Sequence, residues 1–440
     1  ATSLVFENGK CIAKCTEYET EPAAVRAILQ RLAFYAHAEG GIVLTEAHLE
    51  RVSGLGSRQR TAADAIRRLV EIGSCPLLSL LQVEPLQFQF THLSFQEFFF
   101  AQVACEGGRL PEGMERPWQW SGWWERVLKF GHSIGGAFGF GLLNGCGSAG
   151  GRESPSLMDS VGQTRAACDH LSLSGKIGKP QRGAPNVTVL SAAAGGTEQD
   201  EYLESFLERG EQAPSVAPDR TIPLQAIAAM MRHCDSLEMA RNKLTADDIT
   251  KLSIGVRPTT LTALDVSHNA LGDAGLKILV DALVAGGPES GALRRLLCAD
   301  NGAGVAGAGA LAHLICTSTS LELLDLRGND PTDRGLEKIG HALLESKKSM
   351  LGYLRCDAFD LSEVTTDLRL NPFLEATTTV TCLSGALKHN TTVQEVSITD
   401  AAIGVEGAVA MASAMRAHSS LAALCLRGTH LGDEGISALS

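Results

Sequence analysis

Gly131-His132-Ser133-Ile134-Gly135-Gly136 has the G-x-S-x-G spacing of a serine nucleophile elbow, in which a sharp strand-to-helix turn exposes the hydroxyl to a proton-accepting histidine. The spacing alone would make the chain an esterase, with Asp169 and His170 downstream as acid and base. Its surroundings argue otherwise. An elbow follows a buried strand in an alternating β/α pattern, whereas Trp118 to Phe130 reads as an amphipathic helix, and adjacent residues such as Asp169 and His170 point in different directions. Phosphate chemistry needs G-x-x-x-x-G-K-[ST], whose amides and lysine cradle the phosphates. The three Gly-Lys pairs, Gly9-Lys10, Gly175-Lys176 and Gly178-Lys179, are followed by Cys, Ile and Pro, and none has a glycine five residues before its own. Cys11-x-x-x-Cys15 is one thiol pair, with no second pair or histidine pair to complete a tetrahedral zinc set. The expectation is a chain with no catalytic residues, no metal and no cofactor of its own.

What remains is recognition, and the composition limits its kind. The 440 residues exceed one ordinary core and suggest two to four units, and 44% hydrophobic with 20% charged residues is a normal soluble balance. A net charge of −12 repels phosphate backbones, so no sequence-specific nucleic acid is expected. Phe130 to Gly147, the nearest approach to an apolar span, is diluted by glycines and contains His132, Ser133 and Asn144, so no membrane partner is expected. Twelve scattered cysteines without dense pairing fit a reducing, cytoplasmic setting. With no signal sequence and no initiating Met, the chain is expected to begin inside a longer protein.

The elements that would position a recognition surface recur from about residue 234 as L-x-x-L-x-L-x-x-N-x-L. Leu261, Leu264, Val266, Asn269 and Leu271 give it most clearly, and Leu321, Leu324, Leu326 and Asn329 repeat it. Leu421, Leu424, Leu426 and Leu431 keep it with Thr429 in the Asn slot. Starts at 234, 261, 293, 321, 351, 393 and 421 are 27, 32, 28, 30, 42 and 28 residues apart. The 42-residue gap reads as 28 plus 14, with Thr365, Leu368 and Leu370 as a repeat that lost its helix. Each unit reads as a short strand, a Gly-containing turn such as Gly272-Asp273-Ala274-Gly275, and a helix covering the strand; the acidic residue suits the helix N-terminus. The leucines form a core only when units stack, and the Asn bonds backbone inside the bend.

Non-template strand positions then face solvent and are the candidate partner-binding residues: Glu238, Asp265, Arg295, Asp325, Arg327, Tyr353, Arg355, Asp357, Arg369, Glu395 and Arg427. Their mixed charge suits a polar protein ligand, with Tyr353 and the arginines as anchors.

Spacings near 28 and the Leu-Gly-Asp-x-Gly turns resemble ribonuclease-inhibitor-like leucine-rich repeats over about residues 222–440. The resemblance implies a right-handed α/β solenoid, a horseshoe whose strands line the concave side. The array is expected to continue beyond Ser440, since no polar capping repeat closes it. Upstream, helical periodicity from Pro22 to Ala38, helices from Thr45 and Thr61, and strand-like runs Leu77–Val83 and Leu86–Phe90 make a winged-helix module. Phe90-Thr91-His92-Leu93-Ser94-Phe95-Gln96-Glu97-Phe98-Phe99 and Trp123-Trp124-Glu125-Arg126-Val127-Leu128, followed by the repeats, resemble the C-terminal part of NOD-like receptors of the NACHT type. The resemblance implies a cytosolic innate-immunity sensor whose repeats regulate a nucleotide-driven oligomerisation switch. ATP or ADP is then expected only if a P-loop domain lies upstream. His92 reads as a packed, hydrogen-bonded histidine, and Gln96 and Glu97 as capping or pairing a helix start. Expected domains are a winged-helix module over 1–104, a helical segment over 105–143, a flexible Gly/Ser/Pro-rich linker over 144–221 and leucine-rich repeats over 222–440. The alternatives are a free-standing ribonuclease-inhibitor-like scaffold or inhibitor and an α/β-hydrolase through Gly131–Gly136.

Overall fold

In a computed structural model of the protein, the described residues are 3–7, 10–14, 22–53, 57–105, 117, 120, 122–134, 136–145, 168–174, 177, 221–256, 261–285, 293–370, 376–418 and 420–440. Two units are present, one of Ala1–Ala149 with Gly178–Ala229, the other of Gly150–Ile177 with Met230–Ser440.

In the first unit, strands β1 (Ser3–Glu7) and β2 (Lys10–Lys14) pair antiparallel. Helix α1 (Pro22–Ala38) buries Val25, Ile28, Leu29 and Leu32, the stripe its 3.6-residue periodicity marks. Then come β3 (Val43–Thr45), α2 (Glu46–Ser53), α3 (Ser57–Glu71), β4 (Leu78–Gln82) and β5 (Gln87–Phe90), with the strands in the antiparallel order β3-β5-β4. Leu44 lies opposite Phe88 and Leu78 opposite Phe90, and all four are buried with Ile66 and Val70 of α3. Sequence periodicity located both later strands but not β3, whose three residues are too few to show alternation. Helix α4 (Leu93–Cys105) brings Phe99 into this core and packs Phe100 on Phe34 and Trp124, and α5 (Glu125–Ile134) and α6 (Gly136–Gly145) follow. Helix α7 (Thr221–Met230) ends where the two units divide.

The second unit begins earlier than its leucine pattern suggested. Strand β6 (Cys168–Ser172) lies inside the segment read as a linker and pairs in parallel with β7 (Cys234–Glu238), Leu171 opposite Leu237. The rest of that segment, including the helix expected from Glu198 to Glu208, lies outside the described residues. Helix α8 (Ala246–Val256), β8 (Ala263–Asp265), α9 (Gly272–Ala285), β9 (Arg295–Leu297), α10 (Val305–Thr317), β10 (Leu323–Asp325), α11 (Thr332–Glu345) and β11 (Tyr353–Arg355) alternate, and their strands stand side by side in parallel, in chain order. This is an α/β repeat fold. Leu171, Leu237, Leu264, Leu296, Leu324 and Leu354 lie in one row across six strands, each no more than 1% exposed. Helix residues Leu276, Leu311, Leu336 and Ile339 are buried as well.

The long gap in the pattern is where the sheet breaks. After β11 the chain turns back as β12 (Asp360–Leu361), antiparallel to β11, and ends the seven-stranded sheet. Strand β13 (Asp367–Arg369) then opens a second parallel sheet with β14 (Glu395–Thr399) and β15 (Ala423–Arg427), interleaved with α12 (Ala376–Leu387) and α13 (Gly404–Ala417) and followed by α14 (Gly432–Leu439). No helix separates β11 from β13, in line with a unit that lost its helix, but β13 pairs with β14 and not with β11. The helix layer continues past the break: Gly385 of α12 packs so closely on Leu343 of α11 that a Cβ there would collide with it. Leu421, Leu424 and Leu426 of the last repeat, read as core, are only half-buried, because no further strand or helix covers them among the described residues.

Candidate functional site

The template asparagines fix the bend after each strand. Asn269 Nδ2 donates to Met239 O, Val266 O and Ser267 O at 3.1, 2.8 and 3.2 Å, while its Oδ1 accepts from Asn242 N and Leu244 N at 2.9 and 3.0 Å. Asn329 does the same two repeats on: Nδ2 donates to Cys298 O at 3.0 Å and Leu326 O at 2.8 Å, and Oδ1 accepts from Asn301 N and Ala303 N, both at 3.1 Å. One side chain thus ties two successive repeats through groups that would otherwise be buried unpaired. Thr429, in the same slot of the last repeat, has only its hydroxyl to give and donates to Leu426 O at 3.3 Å. The residue before the slot takes a left-handed backbone, as at His268 (φ 55°) and Asp300 (φ 50°), and glycine supplies it without strain at Gly328 and Gly428.

Asp273 lies in the first turn of its own helix, as expected, and also serves the next one. Its Oδ1 accepts from Gly304 N and Gly307 N, both at 2.7 Å, capping the start of α10.

The eleven candidate positions, on the strands or just after them, fall into distinct settings. Glu238 and Asp265 sit opposite one another on β7 and β8; Glu238 accepts Ser174 Oγ at 2.6 Å, and Asp265 accepts its own turn amide, Ser267 N, at 2.8 Å. Tyr353 is half-buried, with its hydroxyl 3.4 Å from Thr391 Oγ1. Glu395 and Arg427 are exposed on the second sheet. Arg369 stands on β13 opposite Ser397.

The remaining five are not independent solvent-facing charges. Asp325 is buried, its side chain 5% exposed, and Arg327 grips it through Nε at 3.0 Å and Nη2 at 2.7 Å, with Arg355 Nη1 at 3.2 Å. A buried carboxylate keeps its charge only with such partners, and the Asp325 hydrogen bond in turn pushes the Arg327 pKa upwards. Asp360 completes the group, 3.1 Å from Arg355 Nε and 3.6 Å from Arg327 Nη1. Asp357 accepts Gly328 N at 3.0 Å, and Arg295 pairs with Glu363. Sequence reading missed Asp360 and Glu363, because both lie in the insertion that departs from the template. Their signal was the acidic spacing Asp357, Asp360, Glu363 inside the one long gap.

In the first unit the residue joining the two motifs is His37, not His92. His92 is exposed, with its ring 5.7 Å from Phe95. His37 is fully buried: its ring stacks on Trp123 at 4.8 Å and meets Trp124 edge-on at 4.7 Å, while its carbonyl accepts Trp123 Nε1 at 3.2 Å. Desolvation lowers its pKa to about 3, against a smaller raising effect of the Trp123 backbone on the ring, so the ring is neutral at ordinary pH. Gln96 Nε2 donates to Gly41 O at 2.9 Å and lies 3.4 Å from His37 Nδ1. Burial raises the Glu97 pKa against the lowering pull of Arg126, 4.0 Å away. Gln96 and Glu97 therefore pack inward instead of capping a helix start.

The serine of the elbow motif is helical. Ser133 lies in α5, and its Oγ donates back to Lys129 O at 3.0 Å, so no strand-to-helix turn lifts it. Among the described residues, no group of three or more His, Cys, Asp or Glu side chains could hold a metal, and no helix is long and apolar enough to cross a membrane.

The family comparison agrees with the repeat geometry. No curated protein matches the chain. Among solved structures it is similar to one described as "Leiomodin-1 Actin-Binding Site 2 (ABS2)", at 20% identity and a TM-score of 0.25, over 34% of this chain and 78% of that one. The Leucine Rich repeat family matches residues 257–280, 317–340, 389–412 and 417–440, which take in β8 with most of α9, β10 with most of α11, β14 with most of α13, and β15 with α14. The chain carries leucine-rich repeats, and repeats of this kind imply recognition of another protein.

Proposed function

We propose that the chain is the recognising part of a NOD-like-receptor-type signalling protein, and that its partner docks on the outward row of the parallel strands, the concave side of a right-handed solenoid. The observation that carries this reading is the division of labour along the strands: one leucine of each strand from β6 to β11 is sealed in the core, while charged strand positions such as Glu238, Arg295, Arg355, Glu395 and Arg427 keep part of their surface open. The helix–strand–helix–helix–strand–strand order of the first unit supports a winged-helix reading, and the packing of Trp123 and Trp124 on His37 supports a common origin for its two motifs. On this reading the protein acts in the cytoplasm, its nucleotide-binding core lies upstream of Ala1, and the chain itself hydrolyses neither ATP nor esters.

Arg327 and Arg355 hold Asp325 in place, so charge reversal there would disturb the fold as well as the surface. Arg295, Glu395 and Arg427 are the cleaner positions, being exposed. A triple reversal of these should abolish pull-down of a protein partner that the helix-side control Lys338→Glu retains. Equal recovery by both would refute the strand-face assignment. Extending the reading frame upstream separates the two family readings, since a P-loop followed by helical domains is expected for the sensor and a nearby start codon for a free-standing scaffold.

A further inference from the structure

Three carboxylates spaced three residues apart leave the end of β11 and run back over the strand face. Asp357 accepts the Gly328 amide, Asp360 meets Arg355 and Arg327, and Glu363 pairs with Arg295 on β9, two strands away. The hairpin is pinned by Phe359 and Leu361, 4% and 0% exposed, and the turn beyond it is held by its backbone, Thr365 Oγ1 donating to Asp360 O at 3.2 Å and Thr392 Oγ1 to Ser362 O at 3.4 Å, while Val364 is 87% exposed and the Glu363 side chain half exposed. Asp360 and Glu363 are themselves about half exposed, and ion pairs at that exposure are weak and screened by salt. Arg327 and Arg355 differ, because buried Asp325 keeps both aimed whether or not Asp360 is present.

We propose that this acidic turn is an internal stand-in for the partner, and that Arg295, Arg327 and Arg355 form a basic site taking an extended acidic segment of another protein. The inference rests on the strand-face reading and names the chemistry of its ligand. In the resting chain the three arginines face Asp325, Asp357, Asp360 and Glu363, so the patch carries no surplus positive charge. An incoming acidic segment replaces Asp360 and Glu363, which swing aside without unfolding the hairpin. Arg295, the most exposed of the three at 52%, is then the point of first contact.

The test uses the whole chain and a fluorescein-labelled octaglutamate peptide, followed by anisotropy at low and high salt. The double variant Asp360→Asn, Glu363→Gln leaves the arginines without their cover, and is expected to bind the peptide roughly three- to tenfold more tightly than the parent at low salt, with the difference gone at high salt. Arg295→Gln in that background should return affinity to the parent level. Unchanged affinity in the double variant, or a gain that survives Arg295→Gln, overturns the proposal. Should the double variant lose its thermal transition, Glu363→Gln alone, at a half-exposed position, takes its place and is held to the same two outcomes. If a partner is held by the strand face while the peptide ignores every variant, the stand-in falls and the recognition reading stands. If the peptide behaves as expected but triple reversal of the face leaves the partner bound, the basic site stands and the wider reading falls.

Discussion

Replacing Leu324 by Ala should cost the repeats about 2–5 kcal/mol. The side chain is 0% exposed and sits between Leu296 and Leu354, which belong to strands held on both sides by hydrogen bonds and asparagine bends. Deleting three buried carbons at ~0.8 kcal/mol each gives about 2.4 kcal/mol before any cavity is counted. The neighbours cannot close the gap without shifting two strands, so the cavity adds to that figure. Leu424→Ala is the internal control: the same template position in the last repeat is half-buried, and about 1 kcal/mol is expected. All four tryptophans belong to the first unit, so during urea unfolding their fluorescence reports that unit, while the far-UV signal also carries the repeats. Leu324→Ala should move the far-UV transition to lower urea and leave the tryptophan transition in place. No movement, or a loss as large in Leu424→Ala, would refute the claim that a shared core through the sheet holds these repeats together.

Asn329→Ala removes a side chain that pairs backbone groups of two repeats, and should destabilise by about 2–3 kcal/mol in the same urea experiment, with faster amide exchange at Asn301 and Ala303. Asp273→Ala uncaps α10, and a loss of about 1 kcal/mol should appear with fraying at Gly304 and Gly307, while α9, which carries the mutation, keeps its exchange protection. His37 binds a proton near pH 6.5 when unfolded but only near pH 3 when folded, so the unfolded state holds more protons between those values, and the first unit should lose stability as pH falls through that window. Glu97, with its raised pKa, acts in the opposite direction, so the diagnostic is the difference between parent and His37→Phe: tryptophan-monitored stability of the variant should fall less steeply with acid, and parallel profiles would count against the neutral, buried histidine.

The repeat was legible in the sequence because its chemistry is strict. A leucine at each inward position and an asparagine at each bend are required by stacking, and Leu264, Leu324, Asn269 and Asn329 stand where the template put them. Strand β6 obeyed the same rule and was overlooked: Cys168-x-x-Leu171-x-Leu173 has the spacing of Cys234-x-x-Leu237-x-Met239, but it lies far from the next repeat, in a Gly- and Ser-rich stretch. The β11–β12 turn could not be read from periodicity, since two residues of antiparallel strand have none. Partners across the strand face escaped for a related reason. Arg295 and Glu363 are 68 positions apart, and only the turn that reverses the chain brings them together. Charged residues that looked like a free recognition row therefore include a prearranged, partly self-satisfied cluster. His37 escaped because a histidine on an apolar helix face carries no mark of the two tryptophans that will enclose it.

The central claim is that partners touch the strands and not the helices. A photo-crosslinking residue placed at Tyr353 on the strand face, and in a separate chain at Lys338 on the helix layer, tests it in one experiment with the full-length chain in its native cell. Docking on the strands predicts a crosslinked partner protein from position 353 and none from position 338. Crosslinking from 338 alone would contradict it.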